Sequence, residues 1–168
     1  MIFWDKFESP VGELYAAEKD GSITMIGHKE SAERYFRKSG SGGSGIPENA
    51  ERRRTEVIER AVFQLNEYFE GKRKKFDLPL APEGTDFQLK DWKALCEIPY
   101  GETRSYRDIA EAIDCPGGYR AVGMANNRNP IMIVIPCHRV IGANGSMVGY
   151  GGGIPVKQYL IELEKNNI

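Results

Sequence analysis

The sequence predicts a mixed α/β (α+β) protein: a small N-terminal β-sheet domain with one main helix, then a mostly helical C-terminal domain containing a helix-turn-helix. Three observations carry this. Strand-forming residues dominate the first third, around an Asp20-Gly21 hairpin signal. A single long amphipathic stripe follows. After it come two helix starts with capping-box patterns, Thr85 with Gln88 and Ser105 with Asp108. At 168 residues the chain suits one ordinary domain or two small ones. The change of character places a division near residue 84, giving domains 1–84 and 85–168.

Taken in order, "IFWDKFES" and "VGELYAAEKDGSITMIGH" read as strands and "ESAERYFRK" as a short polar helix. "SGSGGSG" (39–45) reads as a flexible low-complexity loop, natural or engineered. "NAERRRTEVIERAVFQLNEYFEG" is the clearest helix of the first half, with Val57, Ile58, Ala61, Val62, Leu65, Tyr68 and Phe69 on one stripe and Gly71 as C-cap. The basic "RRR" and "KK" runs nearby read as a solvated face, and "FDLPLAPEG" as a strand entering a Pro/Gly connection.

In the second half, "TDFQLKDWKALCEIP" and "SYRDIAEAI" are helices, "DCPGG" breaks the chain, and "YRAVGMANN" resumes a helix up to Asn129-Pro130. Two short helices joined by a glycine-containing break outline a helix-turn-helix. "IMIVI" (131–135) reads as a strand that has left water. "VGYGGG" is irregular backbone whose amides can closely approach a ligand. The last helix begins in "IPVKQYLIELEK" with Pro155 in its first turn, and Val156, Leu160, Leu163 and Glu164 share its inward face.

Hydrophobic residues at 40% and charged residues at 28% describe a soluble globular chain. The longest apolar run is far too short to span a membrane, and "MIFWDKFESP" has no signal-peptide core, so a cytoplasmic protein is expected. Cys96, Cys115 and Cys137, with His28 and His138 the sole histidines, form neither a disulfide framework nor a metal-ligand pattern. No metal and no cofactor is expected. The net charge of −1 gives no global sign of a nucleic-acid partner. From Cys115 to Ile161, however, there is no acidic residue, while Arg120, Arg128, Arg139 and Lys157 fall inside that span. Such a gap is either a surface kept free of carboxylates or simply a glycine-rich, apolar region.

The most apolar segment ends on Pro136, Cys137, His138 and Arg139. A free thiol has a pKa of about 8.5 and is mostly protonated at neutral pH, so Cys137 needs a base before it can attack carbon. His138 is adjacent, yet neighbours on a strand point to opposite faces. Contact needs a backbone turn, for which Pro136 is suited, or a bridging water. Glu164 on an apolar stripe is either a frayed helix end reaching water or the group that orients the imidazole and stabilises its protonated form.

"PCHRV", preceded by Asn129-Pro130 and followed by "GYGGG", resembles the O6-alkylguanine-DNA alkyltransferases, the methylated-DNA–protein-cysteine methyltransferases. "SYRDIA", "RAVG", "NP", "IPCHRV" and "VKQYL" occur in the family's order, and the match covers about half the chain, from Thr85 to Glu164. The resemblance implies irreversible, stoichiometric transfer of an alkyl group from O6-alkylguanine in double-stranded DNA to Cys137. It implies that His138 deprotonates the thiol through a water, that Glu164 orients His138, and that Asn129 supports the turn. Tyr106 would give its phenol proton toward guanine N3. The carbonyls of Cys137 and Val140 would accept from the exocyclic amine, while Tyr150 and the Gly151 amide would wall the pocket and donate to O6. The base must leave the duplex. Arg120 would fill the vacated stack from a recognition helix in the minor groove, with small Ala121, Gly123 and Ala125 and nearby Arg128 against the backbone. A monomer without N-terminal zinc is expected. Position 151 is glycine where relatives often carry a side chain such as serine. A damage-sensing or regulatory DNA-binding protein without transfer is the alternative, and it would not need Cys137, His138 and Glu164 together.

Overall fold

The computed structural model describes residues 1–40 and 45–168; the middle of the 39–45 loop, and with it the expected flexibility, lies outside the described residues. The chain divides into two compact units, Met1–Glu83 and Gly84–Ile168. No helix among the described residues is long and apolar enough to cross a membrane.

In the first unit, strands β1 (Ile2–Ser9), β2 (Gly12–Lys19) and β3 (Ser22–Gly27) form an antiparallel meander. The Asp20-Gly21 turn has both residues at positive φ, 53° and 81°, the backbone that closes a two-residue hairpin with the right twist. Helix α1 (Lys29–Ser39) covers one face of the sheet, setting Ala32 and Phe36 against Ile2, Trp4, Ala17 and Met25. Side chains alternate across a sheet, so the buried Ala16 and Ile26 point the other way, toward helix α2 (Glu56–Phe69). Thr55 caps α2 by accepting from Ile58 N–H.

Two expectations for this unit need correction. The expected helix start in "NAERRR" is instead a short strand, β4 (Ala50–Arg52), parallel to β1 with Ile2 opposite Ala50. The partner that makes it a strand lies far away in sequence. "FDLPL" is not a regular strand either. It meets the sheet at one bridge, where Ile23 N–H donates to Pro79 O and Ala81 N–H donates to Ile23 O, since prolines cannot continue a ladder.

The second unit holds α3 (Asp86–Leu95), β5 (Arg104–Ser105), α4 (Tyr106–Ala112), α5 (Tyr119–Asn127), a 310 turn (Cys137–Arg139), β6 (Val140–Ile141) and α6 (Ile154–Lys165). Both capping boxes form, at Thr85/Gln88 and at Ser105/Asp108. Helix α5 packs on α3 and α4, and β5 pairs in parallel with β6.

The apolar "IMIVI" run is not a strand. Val134 N–H donates to Met132 O and Ile135 N–H to Ile131 O, with Ile133 at φ 72°. Pro136, at φ −83° and ψ 63°, then centres an inverse γ-turn, Cys137 N–H donating to Ile135 O. A buried segment without a sheet partner must satisfy its backbone locally, and consecutive tight turns do so. A β-branched residue at positive φ stores roughly 1–3 kcal/mol of strain, offset here by burial of the Ile131, Ile133 and Ile135 side chains.

Candidate active site

Those turns aim Cys137 and are tied down by one side chain. Asn129 Nδ2 donates to Ile135 O at 2.7 Å and to Cys137 Sγ at 3.2 Å, and its Oδ1 accepts from Ile131 N–H at 3.0 Å. Cys137 is buried, with 7% of the residue exposed. At rest it is not activated. Burial pushes the thiol up to about 11, while the Asn129 hydrogen bond and the Lys157 charge pull in the opposite direction. Replacing Asn129 by alanine removes three hydrogen bonds in a partly buried turn. We expect a loss of about 2–4 kcal/mol in thermal unfolding, together with slower alkylation of Cys137 by iodoacetamide.

The 310 turn separates the Cys137 and His138 side chains without throwing them to opposite faces of a sheet. His138 is fully buried, and its Nε2–H donates to Glu164 Oε2 at 2.5 Å. Since a carboxylate only accepts, the neutral ring carries its proton on Nε2 and its lone pair on Nδ1, which has no protein hydrogen-bond partner among the described residues. Burial lowers the His138 pKa and Glu164 works against that. Glu164 is itself buried, on the inward face of α6. Burial tends to raise its pKa, but His138 and Arg139 together hold it at about 2.

Arg139 is the residue that sequence reasoning missed here. Its Nε donates to Glu164 Oε1 at 2.8 Å, its Nη2 to Oε2 at 3.2 Å and its Nη1 to Ile98 O at 2.6 Å. Arg139 and Lys157 are both buried, so of the four basic residues in the acid-free span only Arg120 and Arg128 lie at the surface. The signal for Arg139 was its place in the "PCHRV" motif.

Tyr106, the first residue of α4, donates from its hydroxyl to Val148 O at 2.8 Å. Lys157 Nζ donates to the same carbonyl at 3.1 Å and stands 3.5 Å from the Tyr106 oxygen. Burial pulls the Lys157 pKa down and pushes that of Tyr106 up. Val140 is buried and its N–H donates to Cys137 O, which keeps a second lone pair. The Tyr150 hydroxyl is buried without a protein partner among the described residues. Gly151 is exposed, and a Cβ there would sit 3.5 Å from Asn127 O, an ordinary contact, so the position has room for a side chain. Gly153, at φ 95°, needs its glycine to turn the chain into α6.

Helices α4 and α5 form the helix-turn-helix, and Arg120, Ala121 and Arg128 lie exposed on or just after α5. Gly123 is half-buried beside the Tyr106 ring, 3.8 Å from where a Cβ would lie. Ala125 does not belong to the exposed face. It is buried, and its carbonyl accepts from Trp92 Nε1–H at 2.9 Å, so its small size serves packing of α5 on α3. The exposed large side chains that reading by motif passed over are Tyr119 and Met124.

A thiol, an imidazole and a buried carboxylate beside a helix-turn-helix suit a cysteine-dependent transferase that acts on DNA, and comparison with known proteins agrees on that class. Residues 86–166 match the family described as 6-O-methylguanine DNA methyltransferase, DNA binding domain, and residues 2–82 match 6-O-methylguanine DNA methyltransferase, ribonuclease-like domain. A methylated-DNA–protein-cysteine methyltransferase from Methanosarcina barkeri is 46% identical over 167 residues, 99% of each chain. One from Mycobacterium bovis is 46% identical over 166 residues, 99% of this chain and 94% of the relative. The crystal structure of the Mycobacterium tuberculosis OGT in complex with DNA superposes with a TM-score of 0.82 at 45% identity, covering 98% of this chain and 94% of that one. The chain belongs to the methylated-DNA–protein-cysteine methyltransferase family, enzymes of DNA repair by alkyl transfer.

Proposed function

We propose that this chain repairs double-stranded DNA by direct reversal, taking the alkyl group of an O6-alkylguanine irreversibly onto Cys137, one group per molecule. The observation that carries the reading is Cys137 Sγ held by Asn129 on the turn that also presents His138, with Glu164 bound to the far imidazole nitrogen. His138 Nδ1 has the free lone pair, so it is the atom that receives the thiol proton, relayed by a water. The imidazolium so formed is stabilised by Glu164. The sulfur attacks the alkyl carbon in line. A C–S bond forms as the C–O6 bond breaks, and the electron pair goes to guanine.

Charge developing on the leaving base is where donors count most. Tyr106 gives its proton toward guanine N3 once substrate replaces Val148 O as its acceptor, and Lys157 beside it offsets the phenolate left behind. The Gly151 amide donates to O6, Tyr150 walls the pocket, and the carbonyls of Cys137 and Val140 accept from the exocyclic amine. The raised thiol pKa is consistent with activation only when substrate is in place. Helix α5 enters the minor groove, with Ala121 and Gly123 allowing close approach and Arg128 near the backbone. The protein acts as a monomer in the cytoplasm, without metal or cofactor. The test is single-turnover kinetics on an O6-methylguanine duplex. A burst that stops at one equivalent per chain is expected, and continued turnover, as from a cysteine hydrolase, would contradict the reading.

A further inference from the structure

Asp91, on α3, is fully buried, where a carboxylate persists only with a partner, and the chemistry above makes no use of it. Its partner is on α5. With its amide oriented by its hydrogen bonds, Asn126 Nδ2 donates to Asp91 Oδ2 at 2.6 Å, to Asp91 Oδ1 at 3.3 Å and to Val122 O at 3.2 Å. The main-chain carbonyl of Asn126 accepts from Asn129 N–H at 3.1 Å. Asn129 is the residue whose amide donates to Cys137 Sγ. Three hydrogen bonds, joined through the Asn126 and Asn129 residues themselves, therefore link the α3 carboxyl to the sulfur. Trp92, next in sequence, fastens the same turn of α5 through its bond to Ala125 O. Asp91 also acts through space, its negative charge opposing formation of the Cys137 thiolate.

We propose that Asp91 is a positioning residue for alkyl transfer: through Asn126 it fixes the turn that carries Asn129, and so the hydrogen bond that Asn129 gives to Cys137. This rests on the transfer reading given above. Burial pushes the Asp91 carboxyl up, while the two hydrogen bonds from Asn126 Nδ2 favour its ionised form. The elements packed on α3 carry Tyr106, Arg107, Asp108 and Glu111 on α4, Tyr119 and Arg120 on α5, and Cys137, His138 and Arg139 on the 310 turn. Among these groups, Cys137 feels the Asp91 charge. The sign follows. Ionised Asp91 holds the thiol protonated, so removing the charge at position 91 favours the thiolate.

The full chain, Asp91→Asn and Asp91→Ala are compared across the neutral range in two assays. Carboxamidomethylation of Cys137 by iodoacetamide reads the thiolate without DNA, and single-turnover transfer from an O6-methylguanine duplex reads the reaction. Asp91→Asn keeps an acceptor oxygen for Asn126 but carries no charge. Its alkylation should be about threefold faster across that range, as for a thiol pKa lower by about half a unit, with transfer rising alongside. Asp91→Ala leaves Asn126 without its acceptor and should transfer about tenfold more slowly at every pH. Alkylation and transfer profiles of Asp91→Asn that superimpose on wild type overturn the inference, as does wild-type transfer by Asp91→Ala. Should the alanine variant fail to fold, the asparagine variant decides. A wild-type chain that reacts with iodoacetamide yet takes no alkyl group from DNA strikes down the transfer reading instead, while the alkylation assay still decides the effect of Asp91 on the thiol.

Discussion

Exchanging Glu164 for glutamine should cost roughly 3–5 kcal/mol of stability and slow alkyl transfer by about 100-fold or more. Both effects have one origin. Glu164 accepts from His138 Nε2, from Arg139 Nε and Nη2 and from the Gly101 amide, all in a buried site. Glutamine offers one acceptor oxygen where the carboxylate offers two, leaving the Arg139 charge uncompensated and the imidazolium unsupported. Its amide can also reverse the ring, so that Nδ1 no longer has the lone pair. DNA affinity should stay close to wild type, because the side chain never reaches the surface. The pH dependence has a definite sign. The Glu164 pKa falls from an ordinary 4.5 to about 2 on folding, so its stabilisation is present above about 4.5 and disappears as pH falls through about 2. Thermal unfolding in acid should therefore be shallower in the variant than in wild type. Transfer at the wild-type rate with an unchanged pH–rate profile would contradict the assignment.

Arg120→Ala should separate repair of duplex DNA from reaction with the free base O6-benzylguanine. Arg120 is exposed at the start of α5, in a span free of carboxylates, and does not contribute to the packed interior. Its proposed work is to occupy the stack that the extruded base vacates, an unstacking cost of a few kcal/mol, and losing that support should lower duplex repair by about 10- to 100-fold. The free base needs no flipping, so its reaction should change by less than about twofold. Equal losses on the two substrates would refute the role, and unchanged far-UV circular dichroism would exclude misfolding as the cause.

What could be read from the sequence was local. Capping boxes at Thr85 and Ser105, the Asp20-Gly21 hairpin and the bounds of α6 are set by residues within a few positions of one another, and the structure has each of them. The burial of Glu164 was also legible, because helical spacing from Val156 and Leu160 places it inward. The failures arise where one side chain decides between backbones of equal propensity, or where the partner lies far along the chain. An apolar run such as "IMIVI" has the same composition whether it pairs in a sheet or folds into turns, and the choice depends on Asn129 capturing Ile135 O and Ile131 N–H. Ala50–Arg52 became a strand because Ile2 lies beside it. The sequence left open whether Arg139 and Lys157 lie at a surface, because what holds them inside is a partner elsewhere in the chain, Glu164 and the Val148 carbonyl. Ala125 lies on the side of α5 that packs on α3, where Trp92 reaches its carbonyl.

Tryptic mass analysis of the chain after incubation with an O6-methylguanine duplex addresses the central claim most directly. One added methyl group on the peptide containing Cys137, absent from those containing Cys96 and Cys115, is the expected result. A Cys137 peptide of unchanged mass while the lesion disappears from the DNA, or a methyl group on either of the other cysteines, would contradict it.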